Sequence, residues 1–177
     1  MAGSLIKIDE EIVTSAVASV DLGGANWDSS YDVYKVVISN LKIDTDTVGA
    51  VFRYLDTSNN PITVSSYDVA FKVLKANTTA FEDAFGSGTL SYVTDLYIGN
   101  DTGESANLVM YLFNSNNASE YSFHTLEGAY LSQLANLKGQ QGGGVLKQTS
   151  ATKGVRIFLG ASGNIDEGKF TLYGLNK

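Results

Sequence analysis

The side chains best suited to chemistry are few and scattered. The chain has one histidine, His124, within Tyr121-Ser-Phe-His-Thr-Leu126. A serine nucleophile would need that imidazole as its base, yet no Gly-x-Ser-x-Gly elbow is present, and alternation with aromatic residues puts His124 on one face of a strand. A packed or sheet-surface histidine is expected. Because the chain has no cysteine, thiolate metal sites, redox pairs and cysteine nucleophiles are excluded, and a catalytic zinc lacks its usual ligands. Carboxylates occur as Asp9-Glu10-Glu11, Asp44 with Asp46, Glu82-Asp83 and Asp166-Glu167. Glycoside hydrolysis requires two that face each other across a cleft, whereas adjacent acids at turns are solvated. Asp44-Thr45-Asp46 could offer oxygens to Ca²⁺, but the glycine and distal glutamate of an EF-hand loop are missing, so it reads as turn chemistry. Gly86-Ser87-Gly88 lacks the rest of a nucleotide-binding fingerprint. No catalytic, cofactor-binding or metal-binding residue is predicted.

Two sets of residues suit binding instead. Trp27 lies in a polar loop after Asn26, and Asn114, Asn116 and Asn117 crowd a second loop. An aromatic ring covers the apolar face of a sugar and short amides supply hydrogen bonds, so these four are candidate surface ligand contacts. Most of the tyrosines alternate within strands and are expected in the core. The second set, Leu5, Ile6, Ile8, Ile12 and Val13, forms an apolar N-terminal stretch. It can act as a docking arm that adds a strand to a neighbour, or as the first strand of the chain's own sheet.

The elements that must position these residues read with period two. The clearest is Tyr31-Asp-Val-Tyr-Lys-Val-Val-Ile-Ser-Asn-Leu-Lys-Ile43, apolar on both faces at its centre. Further strands are predicted at 5–13, 17–22, 48–55, 67–74, 92–98, 108–113, 121–126, 145–148, 155–159 and 170–175, separated by segments rich in Gly, Asn, Ser and Thr. Asp56-Thr-Ser-Asn-Asn-Pro61 marks a reversal. Only 79–85 and 130–137 have spacing compatible with a helical turn or short helix, and Gly139-Gln-Gln-Gly-Gly-Gly144 is expected to be a mobile loop. About ten short strands without long helices imply an all-β, antiparallel two-sheet sandwich, jelly-roll-like in outline.

At 177 residues the chain is one domain, with residues 1–13 as a possible arm. Its 12 lysines and arginines against 19 acids give a net charge of −7 without any basic cluster. Nucleic-acid binding is disfavoured. No stretch reaches the roughly 18 apolar residues of a membrane helix, and the N-terminus has no basic region followed by an apolar run. A soluble protein without an export signal is expected.

Three segments together resemble a known family. They are Ser30-Tyr-Asp-Val-Tyr-Lys-Val-Val-Ile-Ser-Asn-Leu41, Leu108-Val-Met-Tyr-Leu-Phe-Asn-Ser-Asn-Asn-Ala-Ser-Glu-Tyr-Ser-Phe123 and Gly154-Val-Arg-Ile-Phe-Leu-Gly-Ala-Ser-Gly-Asn-Ile-Asp-Glu-Gly-Lys-Phe-Thr-Leu-Tyr-Gly174. In that order and spacing they resemble the β-sandwich domains of tailed-bacteriophage virion proteins. The resemblance implies a jelly-roll-like domain that assembles as a homotrimer, either a capsid decoration protein or the tip of a tail fibre. It carries no catalytic residue. Lacking a heptad or collagen-like period, the chain is expected to decorate the virion surface, held by the major capsid protein or another virion protein, after synthesis in the bacterial host cytoplasm. The alternative partner is a host surface glycan. Gly163-Asn-Ile-Asp-Glu-Gly168 is read as a tight connection that leaves the C-terminus in the sheet as a paired strand.

Overall fold

Period-two burial builds twelve strands over residues 4–95 and 97–176, which a computed structural model describes. They are β1 (Leu5–Val13), β2 (Ser19–Gly23), β3 (Tyr31–Ile43), β4 (Ala50–Leu55), β5 (Tyr67–Lys75) and β6 (Glu82–Gly88). There follow β7 (Ser91–Tyr92), β8 (Ala106–Phe113), β9 (Ser122–Leu131), β10 (Leu137–Leu146), β11 (Gly154–Leu159) and β12 (Ile165–Asn176). Among the described residues the only helical element is one 3₁₀ turn, Gly24–Asn26.

The strands form an eight-stranded sheet, β1-β12-β3-β8-β9-β10-β5-β6, and a four-stranded sheet, β2-β11-β4-β7. All the pairings are antiparallel. β1 pairs with β12 in the larger sheet and β2 with β11 in the smaller; then β3 pairs with β8, β4 with β7 and β5 with β6, alternating between sheets. Such nesting is what a long antiparallel hairpin gives when it is wound into a jelly roll. The β5–β6 and β9–β10 hairpins extend the larger sheet beyond the smaller one. The all-β, jelly-roll-like sandwich expected from the sequence is therefore the fold.

Between the sheets lie Tyr34, Ile38, Met110, Phe170 and Leu172 from the larger and Phe52, Tyr54 and Ile157 from the smaller. On β3, Tyr34, Val36 and Ile38 are buried, while Lys35, Val37 and Ser39 opposite are half-buried. The buried Tyr67 hydroxyl bridges two segments: it donates to the Ile62 carbonyl at 3.2 Å and accepts the Tyr54 amide at 3.0 Å. The 56–61 reversal is held by the Asp56 carboxylate, which accepts from the Ser58 and Asn60 amides at 2.8 and 2.9 Å.

Four local expectations are corrected. Residues 79–85 and 130–137 form no helix; β6 occupies most of the first, and the second is the end of β9, a turn with Ala135 at φ 53°, and the start of β10. Isolated helices that short are marginal, and strand pairing wins. The Gly139–Gly144 run is no mobile loop: it is the middle of β10, paired on one side with β9 and on the other with β5. Its glycines fit there because a Cβ on Gly142 would stand 2.2 Å from the Phe71 Cβ and one on Gly144 2.4 Å from the Asp68 carbonyl oxygen. Among the described residues of 92–98 only Tyr92 lies in a strand, and Ile98 makes an isolated bridge to Ser132. Finally, the tight 160–164 connection joins strands of different sheets; β12 is paired on both sides, by β1 and β3.

Candidate interaction site

His124 sits on the inward face of β9, and its Nε2 lies 2.9 Å from Ser91 Oγ on β7 of the opposite sheet. The two residues resemble the start of a nucleophile–base pair, but the geometry serves packing. Both are buried, Phe52 meets the imidazole edge-on at 4.9 Å, and His124 Nδ1 has no hydrogen-bond partner among the described residues. Burial pushes the imidazole pKa down to about 4, so the ring is neutral at pH 7. Buried and neutral, the pair is a polar tie between the two sheets.

Carboxylates are engaged in structural contacts. The Asp44 side chain accepts from the Asn164 amide at 2.7 Å and the Asn164 side-chain amide at 2.8 Å, which holds its pKa below the usual carboxylate range. Asp44 thus clamps the β3–β4 and β11–β12 turns together. Asp46 accepts from the Asn100 amide at 3.1 Å. Among the described residues no three His, Asp or Glu side chains are grouped to hold a metal ion. Lys138, 8% exposed, lies 2.9 Å from Asp95 and 3.4 Å from Glu82. Beside it Gln140 donates to the Val93 carbonyl at 2.6 Å and accepts the Asp95 amide at 2.7 Å. These polar groups fasten the 91–95 segment to the inward face of β10.

The residues singled out for ligand contact separate. Trp27 is not a surface platform: it is 4% exposed and stacks on Tyr34, with ring centroids 3.9 Å apart and planes 4° from parallel. Polar neighbours in sequence concealed this burial, because the loop folds its only large apolar ring onto β3. The three asparagines stay together at the same end of the sandwich. With Tyr31, Asp32 and Ser29 they line a cavity of about 260 Å³. Asn116 Nδ2 donates to the Tyr34 hydroxyl at 2.8 Å, which in turn donates to the Asp28 carbonyl at 2.7 Å. Asn117 Oδ1 accepts from the Ser119 amide at 2.9 Å. Tyr31, which the sequence reading did not single out, replaces Trp27 as the aromatic residue at this opening.

The N-terminal stretch is the edge strand of the larger sheet, paired through β12 from Leu5 opposite Leu175 to Val13 opposite Gly168. Leu5, Ile6 and Ile12 remain exposed, whereas Ile8 and Val13 pack on the core. It is not a free arm within this chain; what it offers outward is a strand edge. Sequence reasoning also missed the outward face of the larger sheet, where Phe123, Leu74, Phe85 and Leu175 are exposed. A signal existed in the second parity of β8, β9 and β12, which is apolar in part.

Comparison with protein-family models, with curated proteins and with solved structures finds no match.

Proposed function

We propose that the protein is a non-enzymatic structural component of a tailed-bacteriophage virion, a trimeric decoration or cement protein on the outside of the capsid. The observation that carries this reading is where the three resembling segments lie. They form β3, β8 with the start of β9, and β11–β12, and β12, β3 and β8 are neighbours at the centre of the jelly roll. Most of the resemblance thus falls on one contiguous part of the larger sheet, with β11 in the smaller one. The buried position of the Ser91–His124 pair and the structural engagement of Asp44 favour a scaffold over an enzyme.

Its action would be mass action. A folded unit that binds the assembled shell and not the dissociated subunits stabilises the shell by its binding free energy. The exposed edge of β1, flanked by Leu5, Ile6 and Ile12, is suited to pair with a strand of the major capsid protein. Immunogold labelling of intact virions tests this: label over heads is expected, and particles stripped of the protein should lose their shells at lower temperature. No label on virions would refute the reading.

A second reading, a tail-fibre tip that holds a host glycan, is favoured by the cavity of Tyr31, Asp32 and the three asparagines. Label confined to tails, with glycan-array binding lost in Asn114→Ala, would select it over decoration.

A further inference from the structure

Three segments converge at one end of the larger sheet. The β5–β6 turn, the β9–β10 turn and the chain around Tyr97 enclose a cavity of about 270 Å³ whose lining includes Lys75, Asn77, Glu82, Tyr97, Asn136 and Lys138. β9 begins beside the asparagine loop and ends at this opening, so the cavity lies at the far end of the sandwich from Asn114, Asn116 and Asn117. Its floor and its rim differ. Lys138 is buried at the floor, whereas Tyr97 is 42% exposed at the rim. The Lys138 ammonium stands 6.0 Å from the centroid of the Tyr97 ring.

Packing within the chain does not account for Tyr97. Its φ is 77°; of the non-glycine residues with positive φ, three are asparagines, which tolerate that region, and Tyr97 is the only aromatic one among the described residues. A bulky side chain there is strained and persists because its surroundings fix the backbone. The Tyr97 carbonyl accepts the Gln133 amide at 3.2 Å, and the Ile98 amide donates to the Val48 carbonyl at 3.1 Å. Strain of this kind gathers at ligand sites, and here it holds a partly open aromatic ring over a polar cavity. Lys138 supplies a second, independent sign. Its ammonium has three donors; Asp95 at 2.9 Å and Glu82 at 3.4 Å take two, and the third has no acceptor among the described residues. A buried cation tied to carboxylates gives little net stability over a well-packed apolar replacement, so stability alone does not explain a lysine at this floor.

We propose that this cavity binds a single uncharged pyranose, stacked on the open face of Tyr97, with its hydroxyls bonded to Lys138, Glu82 and the side-chain amides of Asn77 and Asn136. Charge points to a neutral ligand. Lys75 and Lys138 stand against Glu82 and Asp95, with Glu82 paired to both lysines, so neither an anion nor a cation finds an unmatched charge. Chemistry points to a sugar. The C–H face of a pyranose covers an aromatic ring, while each hydroxyl can donate to a carboxylate or amide oxygen and accept from an ammonium or amide nitrogen. Size agrees, since the cavity falls just below about 300 Å³, where sites for drug-sized ligands begin. The site is independent of virion attachment and of the glycan reading of the asparagine cavity.

The full chain is titrated with the methyl glycosides of glucose, galactose, mannose and N-acetylglucosamine while its amide NMR shifts are followed. Saturable shifts at Tyr97, Asn136 and Lys138 are expected with at least one of these sugars, at a Kd of about 1 mM for so small a site. Tyr97→Gly relieves the positive φ, so the variant folds, and it should weaken binding by about tenfold or more. Asn77→Ala, on an exposed turn, should weaken it by about threefold. Thr63→Ala, in the exposed β4–β5 connection, should bind as the wild type does. No saturable shift with any of these sugars up to about 20 mM, or unchanged affinity in Tyr97→Gly, would overturn the proposal. Shifts that survive Tyr97→Gly and vanish in Asn114→Ala would overturn it as well, and would move the sugar to the asparagine cavity.

Discussion

The two halves of the larger sheet are held in different ways. In β12, β3 and β8 the inward side chains are Phe170, Leu172, Tyr34, Val36, Ile38, Leu108, Met110 and Leu112, all at most 3% exposed. That half is an apolar layer of the jelly roll. In the β10-β5-β6 half, Val69, Phe71 and Val73 form a separate small cluster with Tyr92, and beside them β10 turns Lys138, Gln140, Gly142 and Gly144 inward. Apolar area stabilises the first half, at about 25 cal/mol per Å². The second half depends on a few hydrogen bonds and ion pairs, each of which is small net but costly to leave half-made. The β5–β6 and β9–β10 hairpins are accordingly the part expected to open first.

The largest effect should come from the apolar half. Phe170→Ala empties a fully buried position between the sheets and should cost about 3–5 kcal/mol in urea denaturation. A loss below about 1 kcal/mol would show that the β12-β3-β8 layer is not the stabilising one.

Next is the His124–Ser91 tie. The folded imidazole titrates at about 4 against 6.5 for the free group, so between those pH values the unfolded chain binds a proton that the native chain refuses. Stability then falls as pH drops through that window, by about 3 kcal/mol in all, and is unaffected above it. In His124→Leu the slope of stability between pH 6.5 and 4 should flatten, whatever its baseline. The bonded carboxylates Asp44 and Asp56, whose pKa values are lowered by amide donors, lose their contribution only at still lower pH.

Lys138→Ala should cost about 2–3 kcal/mol, since it leaves Asp95 without its cation, whereas Glu82 keeps Lys75. Hydrogen exchange should speed up in β5, β6 and β10 while β3, β8 and β12 stay protected. Uniform acceleration across both halves would break the distinction drawn between them.

The smallest effect has the opposite sign. Gly139→Ala fills space that is open within the chain and should stabilise the monomer by about 0.5–1 kcal/mol. Gly142→Ala, three residues on, collides with Phe71 and should destabilise.

Much of this fold was legible from parity. β3, β5 and β8 alternate so regularly that strand type and buried face follow from local order alone. β10 was illegible for a physical reason: its glycines carry no side chains to alternate, and their place in a sheet depends on neighbours 69 and 124 residues into the chain. The candidate site was legible in pieces. Asn114, Asn116 and Asn117 were found because they fall within four residues of sequence, while Tyr31 and Asp32, which share their cavity, are more than 80 residues away. Trp27 was misplaced because a loop's polar composition does not say which of its side chains folds inward.

From the residues alone came an all-β chain, acidic, without thiols, with one histidine. These properties belong to composition and to period-two order, which any stretch of about six residues carries by itself. Tertiary structure alone decided which strands pair, that His124 meets Ser91 across the sandwich, and that Asp44 bonds Asn164. Each of those outcomes joins segments dozens of residues apart, from Leu5 beside Leu175 to Ser91 against His124. Long-range closure is settled by the burial of all the strands together, and no local pattern encodes it.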